Sequence, residues 1–195
     1  RYDPVSKTSA FVDYTYQVTE GNSVNSGSFY YNALSGEQEE KRIVPLAWDQ
    51  RHILNTNLSI GDPRNWNMGI ISKLSSGWPY TPNIPNANYV PQPNSGRKPW
   101  QWRIDMRVHK NFKIRSFNYL FFMKIYNLLD RRNERYVFND TGRAGYTYVY
   151  QSTQETQGFK NHYGETGVHE WSEYQIRPQY YTSPRSINIG FSLDF

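Results

Sequence analysis

The last ten residues, Ser186-Ile-Asn-Ile-Gly-Phe-Ser-Leu-Asp-Phe195, decide the fold. Ile187, Ile189, Phe191, Leu193 and Phe195 are apolar, and every residue between them is polar or glycine. Successive side chains of a β-strand point to opposite faces, so this stretch reads as a strand with one apolar and one polar face. In a chain with 37% hydrophobic residues, chance produces such a window about 7 times in 10,000. Five weaker copies of the pattern accompany it, and together they make coincidence untenable.

Working upstream, Tyr119, Phe121, Met123 and Ile125 alternate with Leu120, Phe122 and Lys124. Trp102, Ile104, Met106 and Val108 alternate with Arg103, Asp105, Arg107 and His109. Trp66, Met68, Ile70, Ser72 and Leu74 form a third stripe, Leu54, Thr56, Leu58 and Ile60 a fourth, and Ala10, Val12, Tyr14, Tyr16 and Val18 a fifth. The spacing predicts six strands over roughly 8–19, 50–60, 66–76, 100–112, 117–127 and 184–195. Helical periodicity is nearly absent.

The connections alternate in length. Gly61-Asp-Pro-Arg-Asn65 and Lys113-Ile-Arg-Ser116 are tight turns, built from residues that turns favour. Between them lie the long segments 20–49, 77–99 and 128–183. Long loops are uncommon in compact soluble domains, whereas short turns at one end and long loops at the other is the pattern of transmembrane β-barrels. Strands of this length suit a bilayer, which needs about 9–11 residues, better than a globular sheet with its usual 5–6. Aromatics gather at the stripe ends: Trp66, Phe112, Phe117 and Phe195 toward the short turns, Tyr16 and Trp102 toward the long loops. Amphipathic rings settle at headgroup level, so this is the arrangement of interfacial girdles. The competing reading is a soluble, aromatic-rich, carbohydrate-binding β-sandwich, whose half-buried strands also alternate.

Composition bounds the rest. The 195 residues include 17 Tyr, 10 Phe and 6 Trp, too many rings for a disordered chain despite a mean hydropathy of −0.84. The apolar run Tyr119 to Met123 is far short of the roughly 20 residues a spanning helix needs. No cysteine is present, which excludes disulfides, thiol nucleophiles and cysteine metal sites. The net charge of +5 is dispersed and no nucleic-acid motif appears, so no nucleic-acid partner is expected. The first residue is Arg1, and the expectation is a mature or trimmed piece of something longer.

Several stretches together resemble the C-terminal portion of the barrel of TonB-dependent outer-membrane receptors. They are Val44-Pro-Leu-Ala-Trp-Asp-Gln-Arg-His52, Ser76-Gly-Trp-Pro-Tyr-Thr-Pro82, Arg103-Ile-Asp-Met-Arg-Val-His-Lys-Asn-Phe112, Ile125-Tyr-Asn-Leu-Leu-Asp130, Asn139-Asp-Thr-Gly-Arg-Ala-Gly-Tyr146 and the strand closing on Phe195. The resemblance implies an all-β, antiparallel transmembrane barrel segment spanning 1–195, part of a 22-stranded barrel with a plugged lumen. It implies a bacterial outer-membrane location, and nutrient import rather than catalysis. The implied partners are outer-membrane lipid, the remainder of the barrel, a plug domain lying outside this chain, and the TonB complex acting through that plug. The alternative of another class is an outer-membrane scaffold whose loops hold a protein partner at the surface.

Candidate residues follow from parity. Ile187, Ile189, Phe191, Leu193 and Phe195 are expected to face lipid. Arg103, Asp105 and Arg107 would then line the lumen, with Lys73, Lys124 and Arg51 on the same side. They would either touch ligand or plug, or form a plain wall in which Arg and Asp neutralise one another across strands. In the loops, Phe29, Tyr30, Tyr31, Trp78, Tyr80, Tyr146 and Trp171 offer rings for ligand or partner stacking, or for packing loop on loop. His162, Glu165, His169, Glu170 and Glu173 match no closed metal site, so no metal and no cofactor are expected. The Asp140-Thr-Gly triplet reads as a turn rather than an aspartic-protease motif, and no catalytic residues are expected. The charge run 37–42 reads as a solvated loop face.

Overall fold

The computed structural model describes residues 2–3, 7–22, 27–36, 43–62, 64–84, 91–148 and 177–194. In chain order the elements are β1 (Tyr2–Asp3), β2 (Thr8–Tyr16), β3 (Glu20–Gly21), α1 (Ser28–Ser35), β4 (Val44–Pro45), β5 (His52–Asp62) and β6 (Trp66–Ser75). There follow β7 (Pro79–Tyr80), β8 (Gly96–Arg97), β9 (Gln101–Ile114), β10 (Phe117–Tyr126), a short 3-10 turn at Pro178–Tyr180, and β11 (Ser186–Asp194). One sheet runs β1-β2-β5-β6-β9-β10-β11, with every neighbour antiparallel. It is an open meander. All six expected strands are present, within a few residues of their expected ends, and β1 adds a two-residue edge.

Register decides which residues share a face, and here it brings all six apolar stripes together. Tyr14 lies opposite Leu54, Leu54 opposite Leu74, and Leu74 opposite Trp102. Ile70 lies opposite Met106, Met106 opposite Ile125, and Ile125 opposite Ile187. A slip of one residue at any pairing would put a whole stripe on the wrong face. Among the described residues, no helix or second sheet packs over this apolar face. Its residues other than Ile125 are accordingly exposed or half-buried: Val12 is 66% exposed, Ile189 67% and Phe191 59%. Buried apolar side chains number only four among the described residues, namely Val44, Ile125, Val137 and Ala144.

Aromatic bands bound the apolar face at both ends. Near the short turns Phe112 stacks on Tyr119 with centroids 5.3 Å apart, and Tyr119 meets Phe191 at 5.6 Å. At the other end His52 stacks on Trp100 at 5.7 Å and lies 5.1 Å from Tyr16, while the Tyr14 hydroxyl contacts His52 Nδ1 at 2.9 Å. Trp102 Nε1 donates to Ser72 Oγ at 3.0 Å, so its polar handle is satisfied. Among the described residues the one lysine of this face, Lys110, lies in the short-turn band and donates to Asn65 Oδ1. A long stem along apolar surface with its head turned to a polar rim is the usual arrangement for such a residue.

The tight turns follow the local chemistry. Asn65 N–H donates to the Asp62 carbonyl at 2.8 Å, Arg64 N–H to Asp62 Oδ1 at 3.0 Å, and Gly61 has φ +111°, where side chains are strained. Lys7 is paired with Asp62 at 2.7 Å, which fastens the turn before β2 to the turn after β5. The second turn is tighter than expected, because β9 runs on to Ile114 and leaves only Arg115 and Ser116 as the connection.

The long segments carry structure that the period-two pattern does not announce. The hairpins β3–β4 and β7–β8 stand at this end. Phe29, Tyr30 and Tyr31 lie in α1 rather than in irregular loop, a correction to the expectation of negligible helix. Gly36 follows that helix with φ +71°, the left-handed residue that commonly ends one. The Asp140 triplet forms a turn, as expected. The charge run 37–42, the segment holding His162 to Glu173, Trp171 and Phe195 lie outside the described residues.

Candidate functional site

Two regions concentrate polar chemistry, the sheet face opposite the apolar one and the long-loop end. On the polar face β9 contributes Arg103, Asp105 and Arg107 on one side of a single strand. Arg103 Nε donates to both carboxylate oxygens of Asp105, at 2.8 and 3.1 Å. Asp105 Oδ1 also accepts the Asn127 N–H at 2.9 Å. The Arg103 guanidinium lies 5.9 Å from the Tyr126 ring centroid. Asp105 therefore neutralises its own strand neighbour. The cross-strand neutralisation expected from the sequence is not what the register gives: Lys73 stands opposite Arg103, and Lys124 opposite Arg107. Arg51, expected on this side, contacts Glu20 at 3.7 Å and Asp49 at 3.4 Å instead.

At the long-loop end the anchor is Asp49, which has no solvent exposure. It accepts the Thr19 N–H at 2.9 Å, and the Arg97 guanidinium holds both its side chain and its backbone carbonyl. Burial pushes its carboxyl upward, but Arg97, the Thr19 N–H and Arg51 outweigh that and hold it below the ordinary carboxylate value. One residue thus ties the end of β2, the start of β5 and the β7–β8 hairpin together. Asn94, 6% exposed, supports the same junction, donating through Nδ2 to the Pro45 carbonyl at 2.8 Å.

A second junction forms over β9 and β10. Asn133 bridges the Trp102 backbone, accepting its N–H and donating to its carbonyl, both at 2.9 Å. Asn127 donates to the carbonyls of Arg131 and Ser183 at 3.1 and 3.0 Å. Glu134 takes a forked pair of bonds from Arg143, at 2.7 and 2.9 Å to one oxygen, and accepts the Ala144 N–H at 2.6 Å. Arg177 lies over Phe138 and Tyr180, 4.9 and 5.1 Å from their centroids. Segments 127–148 and 177–185 are therefore one bonded platform.

The expected ring residues have different fates on this platform. Tyr80 is wedged between glycines: a Cβ at either Gly96 or Gly142 would collide with its ring. Burial, with Asp140 nearby, raises its phenol above the ordinary value. It is a brace between the β7–β8 hairpin and the turn 139–142. Trp78 and Tyr146 are exposed, at 42% and 44%, and remain available for stacking. Tyr146 meets Tyr148 edge-on at 5.7 Å. These rings stand at the loop end, while Arg103, Asp105 and Arg107 belong to the strand face, so the candidates form two groups. Sequence reasoning missed Asp49, Asn94, Arg97, Asn127, Asn133 and Glu134; two of them, Asp49 and Asn127, lie inside motifs that carried the family resemblance.

Comparison of the chain with protein-family models, with curated proteins and with solved structures returns no match. Among the described residues no group of three or more metal-ligating side chains converges, and no helix is long and apolar enough to cross a membrane.

Proposed function

We propose that the chain is the C-terminal part of the β-barrel of a TonB-dependent outer-membrane transporter, with nutrient import as its work and no bond chemistry. The observation that carries this reading is the register. It gathers six apolar stripes into one uncovered face between two aromatic bands, and puts the strand-borne arginines on the opposite face. From Trp102 to Phe112 along β9 is ten residues, about 34 Å at ~3.4 Å each. At a tilt of about 40° that projects to about 26 Å, against about 25 Å for the apolar band of such barrels.

In water this face would be an exposed apolar patch with no evident cover. Against lipid it needs none, which favours the barrel over a soluble carbohydrate-binding sandwich. The free backbone edges, on the β1–β2 side and on β11, are costly in lipid, and further strands of the same barrel would satisfy them. The plug, which would carry the TonB contact, belongs to that remainder. Lipid lies against Ile187, Ile189, Phe191 and Leu193. Trp78 and Tyr146 face the exterior, where they meet ligand, or a protein partner if the barrel is a surface scaffold.

Epitope insertion tests the topology. A tag after Ser35, in the exposed end of α1, is accessible on intact cells, and a tag at Asp62 becomes accessible only after the outer membrane is permeabilised. The reverse pattern inverts the assignment of ends, and equal labelling of both in intact cells removes the membrane.

A further inference from the structure

The polar face holds a charge pattern that the sheet itself leaves uncompensated. Lys73 opposes Arg103, and Arg107 opposes Lys124. Directly opposed side chains stand about 5 Å apart at Cβ, and like charges there repel. The carboxylate between these rows, Asp105, is already engaged by Arg103 and the Asn127 N–H. Among the described residues neither Lys73 nor Arg107 has an ion-pair partner. Lys124 is held with its ammonium 5.4 Å from the Phe122 ring centroid.

The other side of Arg107 is open. Register places Gly69 beside it and Ser59 beyond, and a Cβ at Gly69 would meet nothing within 4 Å. The row Ser59, Gly69, Arg107, Lys124, Asn188 thus has a gap in its middle. The gap belongs to a depression of about 470 Å³ whose polar lining is Asn57, Ser59, Gly69, Asp105, Arg107 and Lys124, with Ile71 and Tyr126 among its apolar walls. Two adjacent cations beside a glycine floor, with an amide and a hydroxyl opposite, make a place for charge-assisted bonds to an anion. The lining sets two cations against the one carboxylate of Asp105, which Arg103 already engages, and a concave surface with net charge concentrates counter-ions.

We infer that this notch is an oxyanion site, taking the carboxylate or phosphate groups of a small anionic solute. Arg107 and Lys124 supply charge, and Asn57 supplies neutral hydrogen bonds beside Ser59, whose hydroxyl is held by the Asn67 side chain. The inference rests on the reading of this face as a barrel lumen wall.

The test uses the full-length protein in detergent micelles, its folding checked by heat-modifiable gel migration. It is titrated calorimetrically at low ionic strength with pyrophosphate and, separately, with a tricarboxylate. Saturable binding of at least one is expected, and the two titrations tell phosphate from carboxylate. Arg107→Gln and Lys124→Gln each weaken it about tenfold. Gly69→Val fills the open floor and abolishes binding while the barrel still folds. Lys113→Gln, on the same face but outside the notch, leaves it unchanged. A folded wild-type barrel with silent titrations overturns the site alone, as does a Lys113→Gln loss equal to that of Arg107→Gln. A wild-type protein that never shows heat-modifiable migration overturns the barrel reading, and the site with it.

Discussion

Arginine placed at Ile189 and at its neighbour Asn188 separates a lipid face from a watery one. Ile189 is 67% exposed, near the middle of β11, and lies opposite Met123. If that exposure is to lipid, Arg costs about 2–4 kcal/mol at mid-depth. Losing the isoleucine's apolar contact adds about 1–2 kcal/mol, two-thirds of the value of a fully buried side chain. The total for Ile189→Arg is about 3–6 kcal/mol, a factor of 100 or more in folded over unfolded protein. Asn188 is also exposed, on the polar face opposite Lys124. Asn188→Arg adds only a repulsion of about 0.2–1 kcal/mol between opposed like charges. In a water-soluble sheet both changes are surface substitutions worth within about 0.5 kcal/mol. The assay is the urea midpoint for folding into lipid vesicles, read by heat-modifiable migration. Equal midpoints for the two variants refute the assignment of faces.

Three further outcomes follow from the strand end and the loop anchor. Deleting Phe195, the last apolar residue of the alternating strand, lowers the yield of folded barrel in the outer membrane; an unchanged yield on a heat-modifiability gel counts against its role as an assembly signal. Arg97→Ala leaves the buried Asp49 carboxylate short of its main partner, at a cost of about 3 kcal/mol to docking of the loop end, and limited proteolysis finds the β7–β8 hairpin cleaved first. Because the Asp49 carboxyl is held below its ordinary value, its contribution is fully present above the unfolded value near 3.9 and is lost as pH falls through the lower folded one. Wild-type loop docking is therefore insensitive to pH from about 5 upward, and loosening at pH 6 to 7 contradicts the role given to Asp49.

The strands were legible because alternation is a local property: each stripe declares two faces without reference to its neighbours. Register is not local. The six stripes could be listed from the sequence, but nothing in them showed that Leu74 meets Trp102 or that Arg107 meets Lys124 rather than an aspartate. The cross-strand neutralisation expected of Arg103 to Arg107 failed for that reason. The loop platform was illegible on similar grounds. Asp49 reaches Arg97 across 48 residues, Asn94 reaches Pro45 across 49, and Asn127 reaches Ser183 across 56. Such bonds leave no periodic mark. Tyr80 looked like an open stacking residue for the same reason, since the glycines that make room for it stand at Gly96 and Gly142. The turns were legible because their chemistry is carried by adjacent residues, as at Asp62 and Asn65.

The central claim, that one face of this sheet lies against lipid, is most directly tested on β11, and the absence of cysteine from the sequence makes the labelling clean. Single cysteines at positions 187, 188, 189, 191, 192 and 193 are labelled with an environment-sensitive fluorophore and refolded into vesicles. Each is then challenged with a lipid-dissolved quencher and with a water-soluble one. Labels at Ile187, Ile189, Phe191 and Leu193 are quenched from the lipid, and those at Asn188 and Ser192 from water. Aqueous quenching of all six, with no alternation, contradicts the account.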